Sequence, residues 1–220
     1  FKVAEEYWPG PLTMIFEKNE KVPYGTTGGL NTVAVRMPSH EIARAVIDAG
    51  GGYIAAPSAN TSGRPSPTAA EHVKEDMDGR IDMIVDGGDV EIGVESTILD
   101  MTVTPPMILR PGAVTKEMLE DLIGEVAEDV ALIDPDSKKK PKAPGMKYRH
   151  YAPKAELLIV EGKMDQVIET INRMAKEQIS KGYKVGIIGT EESVASYKEG
   201  DVKSIGTRED ESTIAVHLYG

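Results

Sequence analysis

Apolar residues recur along the first half of the chain with two different periods, which predict a mixture of strands and helices. Short apolar or alternating runs are typical of strands, and apolar positions three and four residues apart are typical of amphipathic helices. The predicted strands cover residues 11–17, 31–36, 52–57, 81–86, 94–100 and 106–110. The predicted helices cover residues 39–49, 68–77 and 115–123. Ser39 is a candidate N-cap, and Thr68 with Glu71 forms a candidate capping box. This order indicates an α/β or α+β domain.

A proline-rich stretch over residues 127–154 interrupts this periodicity and predicts a linker. Strands and helices alternate again beyond it, at residues 155–161, 164–180, 183–189, 191–198, 201–205 and from 209 onward. Such alternation predicts a small doubly wound α/β unit whose parallel sheet lies between helices. We therefore expect a first domain over residues 1–126, a linker over 127–154 and a second domain over 155–220.

The composition narrows the classes of function. The 220 residues include no cysteine, which excludes disulfides, cysteine zinc sites and a thiol nucleophile. A formal charge of −11 argues against a chain that wraps nucleic acid with a basic face, but not against a local pocket for a small anion. No apolar run approaches the roughly 20 residues that cross a bilayer, so we expect a cytoplasmic protein without a membrane partner. The four histidines lack ligand spacing, and we expect no metal site made by the protein.

The segment from Pro57 to Pro67 is the most informative part of the chain. It holds four hydroxyls, an amide and a guanidinium, and it follows the predicted strand over residues 52–57. Short polar side chains between a strand and a helix suit an anionic or nucleotide ligand. The same composition is also common in ordinary surface loops, and the segment alone does not decide between the two.

Alternation along the predicted strands places further polar side chains on common faces. Thr32 and Arg36 share one face of the strand over residues 31–36, and Ala56 and Ser58 lie together at the mouth of the next strand. Ser96 shares a face with neighbouring apolar residues, and no Gly-x-Ser-x-Gly elbow or nearby histidine suggests a nucleophile. These strand ends together favour a concave polar site, although each alone also fits a solvated edge.

Arg110 and the segment over residues 143–153 add positive charge to the candidate site. Arg110 ends an apolar strand just before a turn, and its planar guanidinium suits phosphate recognition as well as a strand-end charge in water. The segment over residues 143–153 contains His150, two tyrosines and two cations, although linkers usually avoid aromatic residues. We expect this segment to fold back over the pocket as a lid that excludes water.

Several motifs occur in a fixed order and resemble the threonylcarbamoyl-AMP synthase family in its long form. They are Tyr7–Thr13, Thr32–Pro38, Pro57–Pro67, Glu95–Asp100, Leu109–Gly112 and the segment over residues 144–153. The resemblance implies a YrdC-like catalytic domain, with a twisted mixed sheet and helices, linked to a small doubly wound Rossmann-like domain. It also implies that an N-terminal part of the catalytic domain precedes Phe1 and that the second domain continues beyond Gly220.

The resemblance further implies a reaction and a set of ligand contacts. L-threonine, bicarbonate and ATP are expected to give threonylcarbamoyl-AMP and pyrophosphate, for a downstream tRNA-modifying threonylcarbamoyl transferase complex. Magnesium is expected to be held mainly by the triphosphate. The residues implied to hold threonine are Arg36, Ala56 and Ser96. Those implied to contact ATP are Thr32, Ser58, Asn60, Ser66, Arg110, His150 and Tyr151.

Three other functions compete with this expectation. An RNA-binding module is disfavoured by the negative charge, and direct tRNA binding is doubtful for the same reason. A carbamoyltransferase of the hydrogenase-maturation type would share the catalytic domain but carries zinc-finger cysteines, which this chain lacks. A regulatory nucleotide sensor built on the second domain is the weakest of the three.

Overall fold

The computed structural model of the protein describes residues 1–129 and 155–218. Contacts divide these residues into two units, which are described separately. The first unit contains residues 1–88 and 94–129, and the second contains residues 89–93 and 155–218. The predicted division into two domains and a linker stays a prediction, because most of residues 127–154 lies outside the described part of the chain.

The first unit is built around a five-stranded mixed sheet. Its elements are α1 (Lys2–Tyr7), β1 (Leu12–Glu17), β2 (Thr32–Arg36), α2 (Glu41–Ala49), α3 (Ala70–Met77), β3 (Thr97–Asp100), β4 (Met107–Arg110), α4 (Lys116–Ile123) and β5 (Ala127–Glu128). The strand order is β2-β1-β3-β4-β5. Strand β1 runs antiparallel to β2 and parallel to β3, while β4 runs antiparallel to β3 and parallel to β5. The predicted mixed α/β architecture is confirmed.

One face of this sheet holds the larger hydrophobic core. Leu12 and Leu99 are fully buried there, together with Leu119 from α4. Helix α4 begins where the sequence predicts, because the Thr115 hydroxyl accepts a hydrogen bond from the Met118 amide. The alternation of β1 and β3 therefore leaves the opposite face available for a different set of side chains.

That opposite face carries a smaller apolar cluster and the polar strand ends. Ile15, Ile98 and Leu109 are buried in it. The antiparallel register sets Thr13 opposite Arg36, and the parallel register sets Thr13 beside Ile98. Since residues directly opposite each other in a ladder share a face, the polar side chains of β1 and β2 converge on this side of the sheet.

The second unit contains a two-stranded parallel sheet with three helices. Its elements are α5 (Met164–Ser180), β6 (Gly186–Gly189), α6 (Glu191–Val194), β7 (Asp201–Ser204) and α7 (Glu211–His217). Asn172 in α5 donates to the Ser196 carbonyl and accepts from the Lys198 amide, which ties the helix to the turn before β7. The alternating order predicted for this part of the chain is confirmed over residues 164–217.

Some predicted elements are wrong. Within the described residues, 52–57, 81–86 and 155–161 form no strand, and the long side chains of Tyr53, Met83 and Ile159 are largely exposed. An apolar run predicts burial, but a strand also needs a hydrogen-bonding neighbour, which tertiary structure supplies. Helix α2 starts after His40 rather than Ser39, and α3 follows Ala69 while the Thr68 hydroxyl contacts the His72 ring.

The helix predicted over residues 39–49 is present, yet the burial of its apolar stripe is not as expected. Ile42 and Val46 of α2 are 42% and 49% exposed. The spacing of apolar residues identifies the face of a helix that tends to be buried, but not the element that covers it. Among the helices of residues 1–129 and 155–218, none combines the length and apolar character needed to cross a membrane.

Candidate active site

The centre of the candidate site is Ser96, which lies just before β3. Ser96 is 6% exposed, and its hydroxyl is 2.8 Å from the Thr13 hydroxyl of β1. The backbone here is held by a bond from the Thr97 amide to the Pro11 carbonyl. Thr97 is itself fixed by its hydroxyl, which donates to the Val114 carbonyl at 2.7 Å. The position of the Ser96 hydroxyl is therefore set by buried contacts on both sides.

Arg110, at the end of β4, forms two hydrogen bonds to Ser96 through its guanidinium. Its Nε donates to the Ser96 carbonyl at 3.0 Å, and its Nη2 donates to the Ser96 hydroxyl at 3.1 Å. Strand β4 brings Arg110 to this place because Arg110 pairs with Ile98 in the antiparallel ladder. The hydroxyl partners of Ser96 are thus a threonine and a guanidinium, and neither can take its proton as a general base. A hydrogen-bonding role suits Ser96 better than a nucleophilic one.

Arg36, at the end of β2, brings a second guanidinium close to the first. Its Nε donates to the Gly10 carbonyl at 3.1 Å. Arg36 is exposed as a residue, but its bond to Gly10 is partly buried. This burial, and secondarily repulsion from Arg110, lowers the pKa of Arg36. Since Glu95 pairs with Arg110, the two guanidinium groups leave a net positive charge here that suits an anionic ligand.

Ser66 joins this cluster through Glu95. The Ser66 hydroxyl donates to Glu95 Oε1 at 2.6 Å, and Arg110 Nη1 lies 3.0 Å from Glu95 Oε2. The loop over residues 57–67 is held separately by Asn60, whose amide donates to the Thr61 and Arg64 carbonyls at 3.0 Å. Four predicted residues, Arg36, Ser66, Ser96 and Arg110, are therefore brought together, and Asn60 supports the loop that carries Ser66.

Three predicted residues do not join the cluster. Thr32 shares the face of Arg36 but lies about 13 Å away along β2, at about 3.3 Å per residue. It lines a different cavity of about 720 Å³ with Glu17, Lys18 and Tyr24. Ala56 and Ser58 are exposed in a segment without strand structure, so the predicted strand alternation does not place them. His150 and Tyr151, with the predicted lid, lie outside the described residues.

Thr13 and Glu95 belong to the cluster but have no role in the expectations from sequence. Thr13 lies on the same face of β1 as Ile15. Its position opposite Arg36 depends on strand pairing, which no local pattern reveals. Glu95 directly precedes Ser96, and an acid beside a predicted anion site would ordinarily count against the site.

Within residues 1–129 and 155–218, no group of three or more histidine or acidic residues could hold a metal ion.

The mixed sheet and its paired guanidinium groups define an α/β domain suited to an anionic small molecule. Residues 1–112 match the family described as "Telomere recombination", and residues 114–220 match the family described as "Threonylcarbamoyl-AMP synthase, C-terminal domain". The chain belongs to the threonylcarbamoyl-AMP synthase family, as its motifs predict.

Individual relatives support this membership. A threonylcarbamoyl-AMP synthase of Pyrococcus abyssi is 49% identical over 217 residues, which is 99% of this chain and 62% of the relative. A threonylcarbamoyl-AMP synthase of Bacillus subtilis is 48% identical over 218 residues, or 99% of this chain and 61% of the relative. The crystal structure of P. abyssi Sua5 complexed with L-threonine superposes with a TM-score of 0.88 at 47% identity, over 99% of this chain and 62% of that chain. The chain thus spans about three fifths of the length of these relatives.

Proposed function

We propose that the protein, at full length, is an L-threonylcarbamoyladenylate synthase, a nucleotidyltransferase that uses L-threonine, bicarbonate and ATP. The observation that carries this proposal is the convergence of Arg36 and Arg110 on one side of the sheet. Arg36 lies opposite Thr13 in the strand ladder, and Thr13 and Arg110 both contact the Ser96 hydroxyl. A substrate pair with one carboxylate and one triphosphate supplies an anion for each guanidinium. The relative crystallised with L-threonine supports the choice of amino acid.

The threonine end of the site is proposed to be Arg36, Ser96 and Ala56. The Arg36 guanidinium is a planar fork that matches the two oxygens of an α-carboxylate. Ser96 is held by Thr13 and Arg110, and its hydroxyl is proposed to bond the amino acid beside Arg36. Ala56 is proposed to contribute a small side chain that leaves room for threonine once its segment closes on the ligand.

The ATP end is proposed to consist of Arg110 and Ser66, with Thr32, Ser58, Asn60, His150 and Tyr151 contacting the rest of the nucleotide. The distance of Thr32 from Arg36 along β2 suits an extended ligand that runs over the sheet face. Magnesium is proposed to be held mainly by phosphate oxygens and water, as is usual for nucleotide sites, where it neutralises the triphosphate. His150 and Tyr151 are proposed to belong to a lid over residues 144–152.

The proposed reaction requires little covalent participation from the protein. The threonine amine attacks bicarbonate, a C–N bond forms, and water leaves to give N-carboxythreonine. One oxygen of the new carboxylate then bonds to the α-phosphorus of ATP, and the bond between the α-phosphorus and the bridging oxygen breaks to release pyrophosphate. The protein's part is to hold the carboxylate and the phosphate in line and to stabilise their charge. The product is proposed to pass, in the cytoplasm, to a tRNA-modifying complex.

The direct test is pyrophosphate release from ATP by the full-length protein, with and without L-threonine and bicarbonate. The proposal expects release that requires both, with L-serine or L-valine as weaker replacements for threonine. Release that depends on carbamoyl phosphate would favour a carbamoyltransferase instead. Tight, salt-sensitive tRNA binding without ATP, and no pyrophosphate release, would favour an RNA-binding module.

A further inference from the structure

Glu95 is the acidic residue at the centre of a site that otherwise attracts anions. It lies between two residues of the proposed ATP end, and it touches both. One carboxylate oxygen accepts the Ser66 hydroxyl at 2.6 Å, and the other lies 3.0 Å from Arg110 Nη1. The side chains of Arg110 and Glu95 are 26% and 19% exposed, so this is a partly buried ion pair rather than a surface one.

The contacts of Arg110 show what the carboxylate does. Its Nε and Nη2 donate to the Ser96 carbonyl and hydroxyl, and its Nη1 lies 3.0 Å from Glu95 Oε2 in an ion pair. Each of the three nitrogens therefore has a partner that fixes the plane of the guanidinium before a ligand binds. Ser96 holds one edge of the group and Glu95 holds another. Without Glu95, the Nη1 end of the guanidinium would become ordered only when the phosphate binds.

The second contact of Glu95 links two parts of the unit that are far apart in sequence. Ser66 belongs to the polar loop over residues 57–67, whereas Arg110 belongs to strand β4. The bridging carboxylate sets the distance between them, and its hydrogen bond holds the Ser66 hydroxyl. Charge-assisted bonds of this kind are among the stronger ones available to a protein. A ligand that needs both residues therefore meets them already placed, which saves the entropy of ordering them.

We propose that Glu95 is a positioning residue for the nucleotide, holding Arg110 and Ser66 in the geometry that receives the ATP phosphates. This inference rests on the proposed function and adds to it a residue with a role of its own. A simple charge argument predicts the opposite effect, because a carboxylate beside a triphosphate repels it. The two explanations therefore differ in the sign of the effect that removing the charge has on ATP binding.

The experiment measures binding of α,β-methylene-ATP and of L-threonine to the full-length protein by calorimetry, for the parent and for Glu95→Gln. The amide keeps the size of the side chain but has no charge and only one acceptor oxygen, whereas Glu95 contacts Ser66 and Arg110 through two different oxygens. We expect the dissociation constant for the nucleotide to rise about tenfold or more, given the strength of hydrogen bonds to charged groups. We expect the dissociation constant for L-threonine to stay within about twofold, because Ser66 and Arg110 belong to the ATP end and the Ser96 hydroxyl keeps its contact with Thr13.

Two further variants complete the design. Glu71→Gln removes the same charge from an exposed position of α3 in the same unit, and we expect it to leave both affinities unchanged. Glu95→Asp keeps the charge but shortens the reach. We expect it to weaken nucleotide binding too, and it serves as the test if Glu95→Gln does not fold.

Each other outcome overturns part of the argument. Unchanged or tighter nucleotide binding in the Glu95 variants, with a parent that binds normally, refutes the positioning role alone. Equal loss of both ligands, together with a lower unfolding midpoint, shows a general structural role and refutes it as well. A parent protein that does not bind the nucleotide overturns the proposed function, and this inference with it.

Discussion

Replacing Arg36 with alanine separates ligand binding from folding at the candidate site. The guanidinium of Arg36 donates to the Gly10 carbonyl at 3.1 Å in a partly buried bond, and it is repelled by Arg110. Its pKa is lowered, which means that the folded protein disfavours the charged form of this side chain. Burial beside a second positive charge is expected at a site whose anionic partner is a ligand.

The size of the effect follows from the contact proposed for Arg36. A bidentate bond between a guanidinium and a carboxylate is worth about 1.5–3 kcal/mol, or about 12- to 150-fold in affinity. We expect Arg36→Ala to weaken L-threonine binding by this factor and to reduce threonine-dependent pyrophosphate release at least as much. Arg36→Lys keeps the charge but loses the fork, and should recover little of the affinity.

The stability of the same variant should change little. Loss of the bond to Gly10 is opposed by relief of the repulsion from Arg110, so we expect the free energy of unfolding to shift by less than about 1 kcal/mol. Calorimetry with L-threonine and urea unfolding of the full-length protein measure the two quantities. Arg44→Ala, on the exposed side of α2, is the matched control. Threonine affinity equal to that of the parent, or a loss confined to the nucleotide, would refute the assignment of Arg36.

Two further predictions concern stability. A Cβ at Gly112 would lie 2.4 Å from the Glu95 carbonyl oxygen and 2.5 Å from the Thr97 amide nitrogen. Gly112→Ala should therefore destabilise the protein by about 1–3 kcal/mol in urea unfolding. An unchanged midpoint would show that the turn after β4 can move aside. In the second unit, the Thr207 hydroxyl, followed by Thr190, lowers the pKa of Glu192 from 4.5 to about 2. A depressed pKa contributes stability above pH 4.5 that is lost as the pH falls towards 2. Glu192→Gln should therefore lower the thermal midpoint at pH 7. The difference in midpoint between the parent and the variant should shrink below pH 4.5. A difference that does not vary with pH would contradict this explanation.

Local patterns predict most of the regular elements correctly. Strands β1, β2 and β4 and helices α4 and α5 lie within a few residues of their predicted ranges, because their periodicity, caps and turns are encoded by neighbouring residues. The same kind of evidence predicts strands over 52–57, 81–86 and 155–161, which form none within the described residues. Hydrophobicity indicates which residues avoid water, but a strand requires a partner that is often distant in sequence.

The chemical inventory of the candidate site is readable from the chain, because its ordered motifs name Arg36, Ser66, Ser96 and Arg110. Alternation along the strands favours a common polar site, but the arrangement of contacts within it cannot be read from the chain. It depends on strand register, which places Thr13 opposite Arg36 and Arg110 beside Ile98. It also depends on Glu95, whose two oxygens join a loop to a strand. An acid beside an anion site would be expected to repel the ligand, whereas Glu95 is proposed to position the residues that bind it. Residue types and local periodicity are properties of short segments, whereas distances between side chains come from the pairing of segments that only the folded chain brings together.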